Sequence, residues 1–171
     1  MSWLRRNIAA LIVIVVSLPA LATVLVVVPL LDQPADDVRV VQPGDTAQAA
    51  GYSFTLTASQ EFEGTDDNGI PVGTSLIGAL IDVTRAGGTD ELSCDADLTS
   101  RAGGTERSWT TVSSPRDFGY GVGDDSETTC YLEDEPFQYE TVFLVPSGTY
   151  DGATIDISVG STVLRMELEQ G

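Results

Sequence analysis

Carboxylates are the side chains of this sequence best able to do chemistry. The 171 residues include 26 aspartates and glutamates and eight arginines, with no histidine and no lysine. Loop carboxylates and carbonyl oxygens are the ligands that calcium prefers, and acidic pairs stand in two glycine-containing loops. The candidate calcium ligands are Asp66, Asp67, Asn68, Asp124 and Asp125.

The loop around Asp66 departs from the regular calcium-binding loop. Gly64 stands where that pattern has its first Asp ligand, and Ser75 stands where it has the closing Glu. A looser calcium site is therefore one hypothesis, and a tight Asp-Asn-Gly turn is the alternative. We expect no cofactor other than calcium.

Catalysis is not expected from the other residues. Without histidine, the usual general base and the usual zinc ligand are missing, and without lysine there is no phosphate-loop or Schiff-base chemistry. The stretch from Gly73 to Gly78 approaches a nucleophile elbow, but its second glycine comes one residue late. A glycosidase would need facing carboxylates in an aromatic-lined cleft, and aromatic residues make up only 7%. We therefore predict a protein that is not an enzyme.

Two aromatic residues are candidates for contact with a partner. Phe118 and Tyr120 alternate with glycines in the stretch 113–127, which lies between the two cysteines. Such aromatics on a tethered loop could bind a protein or a glycan. The alternative is that they pack back onto the rim of the domain. Trp109, on a strand, is assigned to the core or to an end of the domain.

The two cysteines, Cys94 and Cys130, lie on two predicted strands with alternating neighbours. In the oxidising compartment outside a membrane they have only each other to pair with. A disulfide closing a loop of this length stabilises a fold by roughly 4 kcal/mol. A redox pair or a metal site would need a Cys-x-x-Cys spacing or further ligands, so the sequence predicts a structural disulfide.

The location of these residues relative to a membrane depends on an apolar segment near the N-terminus. Residues 8–31 contain no charge, and as a helix they would span roughly 36 Å, more than the hydrocarbon layer. Arg5 and Arg6 precede the segment and every acid follows it, so residues 1–7 should be cytoplasmic. The sequence predicts a signal anchor that crosses the lipid bilayer once, with the C-terminal domain extracellular.

Cleavage of a signal peptide is the alternative. Pro19 and the sequence Ala20-Leu21-Ala22 resemble a small-x-small cleavage site. Cutting after Ala22 would leave an apolar new N-terminus, TVLVVVPLLD, which favours the retained anchor. Pro19 is tolerated inside a membrane helix. Intact mass of the membrane-extracted protein decides between the two.

The charge beyond the anchor restricts the partners. Six arginines against 26 acids leave a net charge of −20 after residue 31. Such a surface repels phosphate backbones and anionic headgroups, which excludes nucleic acid as a partner. It could attract divalent cations or basic partners.

The remainder of the chain is predicted to be mainly β. Residues 32–45 are assigned to a polar spacer, and residues 46–171 to one extracytoplasmic domain of seven to nine short antiparallel strands. We predict one β-sandwich, with a closed barrel as the alternative. On the first long strand, Tyr52, Phe54, Leu56 and Ala58 should face the core.

A hairpin around Gly160 and Ser161 should close the domain. On its first strand, Ile155, Ile157 and Val159 should point inward. They should face Val163 and, less regularly, Met166 and Leu168 on its second strand.

Short motifs give the chain a resemblance to a known family. Gly44-Asp45 precedes the first long strand, and the strand ending Phe143-Leu144-Val145-Pro146 precedes the final hairpin. With one N-terminal anchor, this pattern resembles the immunoglobulin-like extracytoplasmic domains of unknown function in envelope proteins of actinobacteria and other Gram-positive bacteria. The start MSWLRRN is also similar to short actinobacterial membrane proteins. The resemblance implies an immunoglobulin-like fold and an envelope location, and it carries no catalytic residue.

Together these features predict a membrane-anchored, non-enzymatic interaction module of the cell envelope, accessory to a transport or secretion complex and bound to an envelope protein. The alternative is an extracytoplasmic ligand binder or sensor, with calcium or a cationic peptide as its ligand.

Overall fold

The chain divides into two compact units, Met1–Ala35 and Asp36–Gly171. The computed structural model describes Asn7, Ser17 and residues 37–87, 92–101, 104–119, 126–132 and 135–168. Asn7 and Ser17 are helical, and the rest of the predicted transmembrane helix, with its alternative cleavage site, lies outside the described residues. Within the described parts of the chain, no helix has both the length and the apolar character needed to cross a bilayer.

The described strands of the second unit form two packed sheets. The predicted mainly-β sandwich is therefore confirmed, and the alternative of a single closed sheet is not what these strands form. The strands of the first sheet are β1 (Asp37–Val41), β5 (Leu92–Ser100), β6 (Arg107–Thr110), β8 (Cys130–Leu132), β10 (Ala153–Val159) and β11 (Thr162–Glu167). Their spatial order is β1-β11-β10-β5-β6, and β8 also pairs with β5. The strands of the second sheet are β2 (Thr46–Ala49), β3 (Tyr52–Glu63), β4 (Thr74–Arg85), β7 (Ser126–Glu127) and β9 (Phe137–Pro146). Their spatial order is β2-β3-β4-β9-β7.

The described residues thus contain eleven strands, more than the seven to nine predicted, and not all pairings are antiparallel. β1 runs parallel to β11, and β7 runs parallel to β9. β1 also lies inside the segment 32–45 that was assigned to a spacer, so the compact unit begins at Asp36. Only Val41 of β1 is buried; Val38 and Val40 alternate with charged residues in the sequence but are exposed on this edge strand.

The final hairpin forms where it was predicted, but one predicted core residue of its second strand lies on the outer face. Val159 pairs with Thr162, and Gly160 supplies the positive φ of 58° that the tight turn needs. Leu164 therefore lies opposite Ile157 and points inward. Val163 pairs with Ser158 on the outer face, so the prediction that it faces the core was wrong, whereas Met166 and Leu168 are buried.

A β-bulge divides β3 into two parts, and the side-chain alternation between the inner and outer faces is reversed from one part to the other. Tyr52, Phe54 and Leu56 are buried as predicted, but the register with β4 shifts between Leu56 and Ala58. One extra residue reverses the faces of everything that follows it. Ala58 is consequently exposed, against the prediction, and Phe62 points outward.

The main core lies between the sheets, and its buried side chains come from both. Phe54 and Phe143 of the second sheet and Leu98 of the first are fully buried. Trp109 packs against this core, as predicted. The predicted disulfide between Cys94 and Cys130 is confirmed, with 5.2 Å between the Cα atoms of these paired positions on β5 and β8.

Candidate functional site

A second apolar cluster covers part of the outer face of the second sheet. Leu76 on β4 and Val142 on β9 point away from the main core, yet both are buried together with Ile70. Val112 and Phe118 are half-buried and pack against this outer cluster. The central strands are therefore buried on both faces here, which explains the nearly continuous apolar sequence of β4.

The loop 64–73, between β3 and β4, brings Ile70 onto this face. The Asn68 side chain folds the loop, because its Oδ1 accepts hydrogen bonds from the amides of Thr65 (3.0 Å) and Ile70 (3.1 Å). Its Nδ2 donates to the carbonyl of Glu63 at 2.8 Å. A Cβ at Gly64 would overlap the carbonyl oxygen of Pro71, so the close return of the loop requires glycine there.

The segment 112–119 also covers this outer face of the second sheet, where it lies next to β9. The amide of Val112 donates to the carbonyl of Val142 on β9 at 2.8 Å. A single 3-10 turn, Pro115–Phe118, then brings Phe118 to the outer cluster and ends at Gly119, whose φ is 84°. The Gly119 amide closes the turn by donating to the carbonyl of Arg116 at 3.0 Å.

A pocket remains between the two covering segments. It has a volume of about 350 Å³ and is lined by Phe62, Asn68, Ile70, Leu76, Phe118 and Gly119. Ile70 and Leu76 form its buried floor, and the Phe62 side chain is 38% exposed at its edge. We call this feature the outer pocket. Pockets that bind ligands are typically concave and mostly apolar with a few polar groups, as this one is.

Charged residues adjoin the residues that line the outer pocket. Asp67 precedes Asn68 and Asp117 precedes Phe118 in the sequence, whereas Glu63 pairs with Ser75 and points to the face of β3 opposite Phe62. Asp66, Asp67 and Asp117 are exposed, and Arg116, also exposed, is the one cation within the described segments 64–73 and 112–119. The two covering segments therefore carry three exposed acids against one arginine.

The candidate calcium ligands Asp66, Asp67 and Asn68 come together in the covering loop 64–73. Both polar groups of the Asn68 side chain are engaged within that loop, which matches the turn alternative. In the described parts of the chain, no group of three or more acidic, histidine or cysteine residues could hold a metal. Asp124 and Asp125 lie outside the described residues.

The two candidate contact residues have different outcomes. Phe118 packs onto the second sheet, and its side chain also lines the outer pocket. The packing alternative is therefore seen for Phe118, and its contact with a partner stays a prediction. Tyr120 lies outside the described residues.

Sequence reasoning missed Phe62, Ile70 and Leu76 as pocket residues. The signal available was the apolar run Ile70-Pro71-Val72 inside an otherwise polar loop. Phe62 could not be assigned to the outer face without the bulge in β3.

The outer face of the first sheet is polar. Asp156 accepts hydrogen bonds from Arg165 Nε (2.8 Å) and Nη2 (2.6 Å), and from Thr99 Oγ1 (3.2 Å). The hydrogen bond to Asp156 raises the pKa of the Arg165 guanidinium. Burial, and then the charges of Asp156 and Asp95, raise the pKa of Asp97. The hydrogen bonds of Asp156 to Arg165 and Thr99 join three neighbouring strands, whereas Asp97 is repelled by its acidic neighbours.

Comparisons with known proteins give distant likenesses. No protein-family model matches the chain, and no curated protein matches it. Among solved structures, it is similar to a conserved hypothetical protein from Bacillus anthracis, with 12% identity and a TM-score of 0.48 over 68% of this chain and 87% of that chain. It is also similar to an uncharacterized β-sandwich protein from Clostridium difficile 630, with 12% identity and a TM-score of 0.43 over 81% of this chain and 98% of that chain. Neither likeness carries an argument about function.

Proposed function

We propose that this chain is a membrane-anchored, non-enzymatic interaction module that works at the outer face of a cell membrane. The observation that carries the proposal is the outer pocket, where the partly exposed Phe62 borders apolar space above Leu76. Exposed aromatic side chains around an apolar depression are typical of the centre of a protein-protein contact. The partner in this proposal is an envelope protein, such as a component of a transport or secretion complex.

The proposed location rests on two features. Residues 8–31 have the length and apolar character of an anchor, with arginines before them and acids after them. The disulfide between Cys94 and Cys130 is a structural bond of the kind that persists in oxidising compartments. Both features agree with an extracytoplasmic domain.

An immunoglobulin-like arrangement is the finer form of the fold that we propose. In its support, consecutive strands change sheets from β4 to β5 and from β9 to β10, as in Greek-key sandwiches. The resemblance to envelope proteins of Gram-positive bacteria is part of the same proposal.

Binding of a small ligand is the second candidate function, and the outer pocket favours it as well. A volume of about 350 Å³ lies near the lower end of the roughly 300–1,000 Å³ range of ligand pockets. A compact apolar ligand would fill it.

Site-specific photocrosslinking in intact cells tests the proposal. Phe62 is replaced by p-benzoylphenylalanine, and Tyr131, which is 60% exposed on the first sheet, receives the same replacement as the matched control. We expect one protein adduct from position 62 and none of the same mass from position 131. Identical adducts from both positions, or no protein adduct from position 62, would contradict a partner at the outer pocket. A small-molecule adduct at position 62 alone would support the second candidate.

A further inference from the structure

We infer that the outer pocket receives one apolar side chain from a basic peptide segment of the partner. This inference rests on the proposed function and adds the chemistry of the occupant. It is drawn from three features of the described residues: the size of the pocket, its fixed shape and the charges around it.

The pocket suits a single apolar anchor. Its floor is formed by Leu76 and Ile70, which are 2% and 7% exposed, and its walls include the rings of Phe62 and Phe118. A space of about 350 Å³ is small for a long chain and sufficient for one aromatic or large aliphatic side chain. Full burial of such a side chain contributes roughly 1.5–3 kcal/mol, or about tenfold to a hundredfold in affinity.

The pocket is held open by bonds that need no ligand. Asn68 fixes the loop 64–73 through three hydrogen bonds to backbone atoms. The Val112 amide fixes the opposite segment to the carbonyl of Val142. Because the shape exists before binding, little conformational entropy is lost when an anchor enters.

The charges favour a basic occupant. Asp66, Asp67 and Asp117 are exposed in the two segments that cover this face, and Arg116 is the one cation in the described residues of these segments. The −20 charge of the chain beyond residue 31 adds a long-range attraction for cations. Arginine or lysine on either side of the anchor would pair with the surrounding carboxylates.

The same charges disfavour other occupants. A second copy of this chain would bring two sets of these acids together, and juxtaposed like charges oppose association. A lipid acyl chain would use the apolar floor but would bring an anionic or neutral headgroup to the acids. A basic peptide uses both features of the site.

Binding of three synthetic peptides to the full-length chain tests the inference. The chain is embedded in phosphatidylcholine nanodiscs, and empty nanodiscs give the background. The first peptide has one central phenylalanine flanked by three arginines on each side; the second has alanine at the centre, and the third has glutamates in place of the arginines. Fluorescence anisotropy should show the first peptide binding about tenfold more tightly than the second, and the third not binding.

Matched variants show where the peptide binds. Phe62→Ser should weaken the first peptide about tenfold and leave the second unchanged, because only the first fills the pocket. Val72→Ser is the control, since Val72 is 68% exposed in the adjoining loop 64–73 and does not line the pocket. Asp66→Asn with Asp67→Asn should weaken both arginine peptides severalfold at low salt and reduce their salt dependence.

Each result decides a different part of the inference. Equal binding of the phenylalanine and alanine peptides would overturn the anchor, and binding of the glutamate peptide would overturn the charge requirement. Equal effects of Phe62→Ser and Val72→Ser would place binding elsewhere. Failure of all three peptides, combined with a protein adduct at position 62, would reject the basic occupant while the proposed function stands. Failure of both experiments would reject the proposed function itself.

Discussion

The outer faces of the two sheets differ in how they meet solvent. On the first sheet, Arg165 and Thr99 both donate hydrogen bonds to Asp156, and the face is polar. On the second sheet, Leu76 and Val142 are apolar and are covered by loop segments. Loops fill space less completely than a packed layer of secondary structure, so a pocket remains. The difference shows how a candidate binding site can arise in a β-sandwich. It forms where the outer face of a sheet is covered by the segments that connect the strands.

The largest expected effect concerns the disulfide, which joins two strands of the first sheet. Replacing Cys94 and Cys130 together by Ala removes a cross-link with a sequence separation of 36. We expect the free energy of unfolding to fall by about 4 kcal/mol, because the unfolded chain regains loop entropy. Denaturant unfolding measures this, with the reduced wild-type chain as the control. A loss below about 1 kcal/mol would contradict a structural role for the bond.

Truncating one leucine in each cluster compares the packing of the main core with that of the outer cluster. Leu98→Ala in the main core should cost about 4 kcal/mol, and Leu76→Ala at the outer pocket about 2 kcal/mol. Both side chains are buried, but Leu76 borders existing space that water can enter. Unfolding of the two variants under one condition gives the difference. Equal costs would mean that the outer cluster is packed as tightly as the core.

Replacing each of two threonines by valine should change the free energy of unfolding in opposite directions. Thr99 donates to Asp156 on the first sheet, so Thr99→Val should lower the free energy of unfolding by about 1 kcal/mol. Thr141 of the second sheet is 1% exposed, and its hydroxyl has no hydrogen-bond partner among the described residues. Thr141→Val should therefore raise stability by about 1 kcal/mol. A loss in both variants would show that the Thr141 hydroxyl is bonded.

Asp97→Asn should produce a small, pH-dependent gain. The pKa of Asp97 is raised above 3.8 by burial and by Asp156 and Asp95, so the folded state binds its proton more tightly than the unfolded state. The ionised form therefore destabilises the fold above the folded pKa. The gain from Asp97→Asn should be present at pH 7, shrink as pH falls through the raised pKa, and vanish below the unfolded value. Urea unfolding across this range checks it, and a gain that grows in acid would refute the assignment.

The smallest expected effect concerns calcium at the loop 64–73. The Asn68 side chain is engaged with backbone atoms, so we expect Asp66 and Asp67 to give no stabilising calcium site. Millimolar calcium should change the melting temperature of the wild-type chain and of the Asp66→Asn, Asp67→Asn double variant equally. A calcium-dependent rise that disappears in the double variant would establish the site.

Local patterns predicted part of this structure. The disulfide followed from two cysteines on alternating strands, and the final hairpin followed from Gly160 between two such strands. Asn68 in a turn was also accessible, because Asp-Asn-Gly favours turns. These features depend on neighbours in the sequence and on the compartment.

The remaining features depend on contacts between distant residues. The bulge after Leu56 reverses Ala58 and Phe62, and it is defined only by the register with β4. β1 gains its partner from the far end of the chain. The outer pocket requires two separate loops to fold onto one sheet face. The spacing of apolar residues within one stretch of sequence does not reveal such an arrangement.

The parallel pairing of β1 with β11 has a mechanical consequence. Asp37 lies beside Thr162 and Val41 beside Met166, so the first and last strands of the unit run side by side. A force that pulls the two ends of this unit apart acts along these strands in opposite directions. It therefore shears the hydrogen bonds of the pair simultaneously instead of unzipping them one at a time. Under tension, the short and largely exposed β1 acts as a clamp that must slip before the sandwich can open.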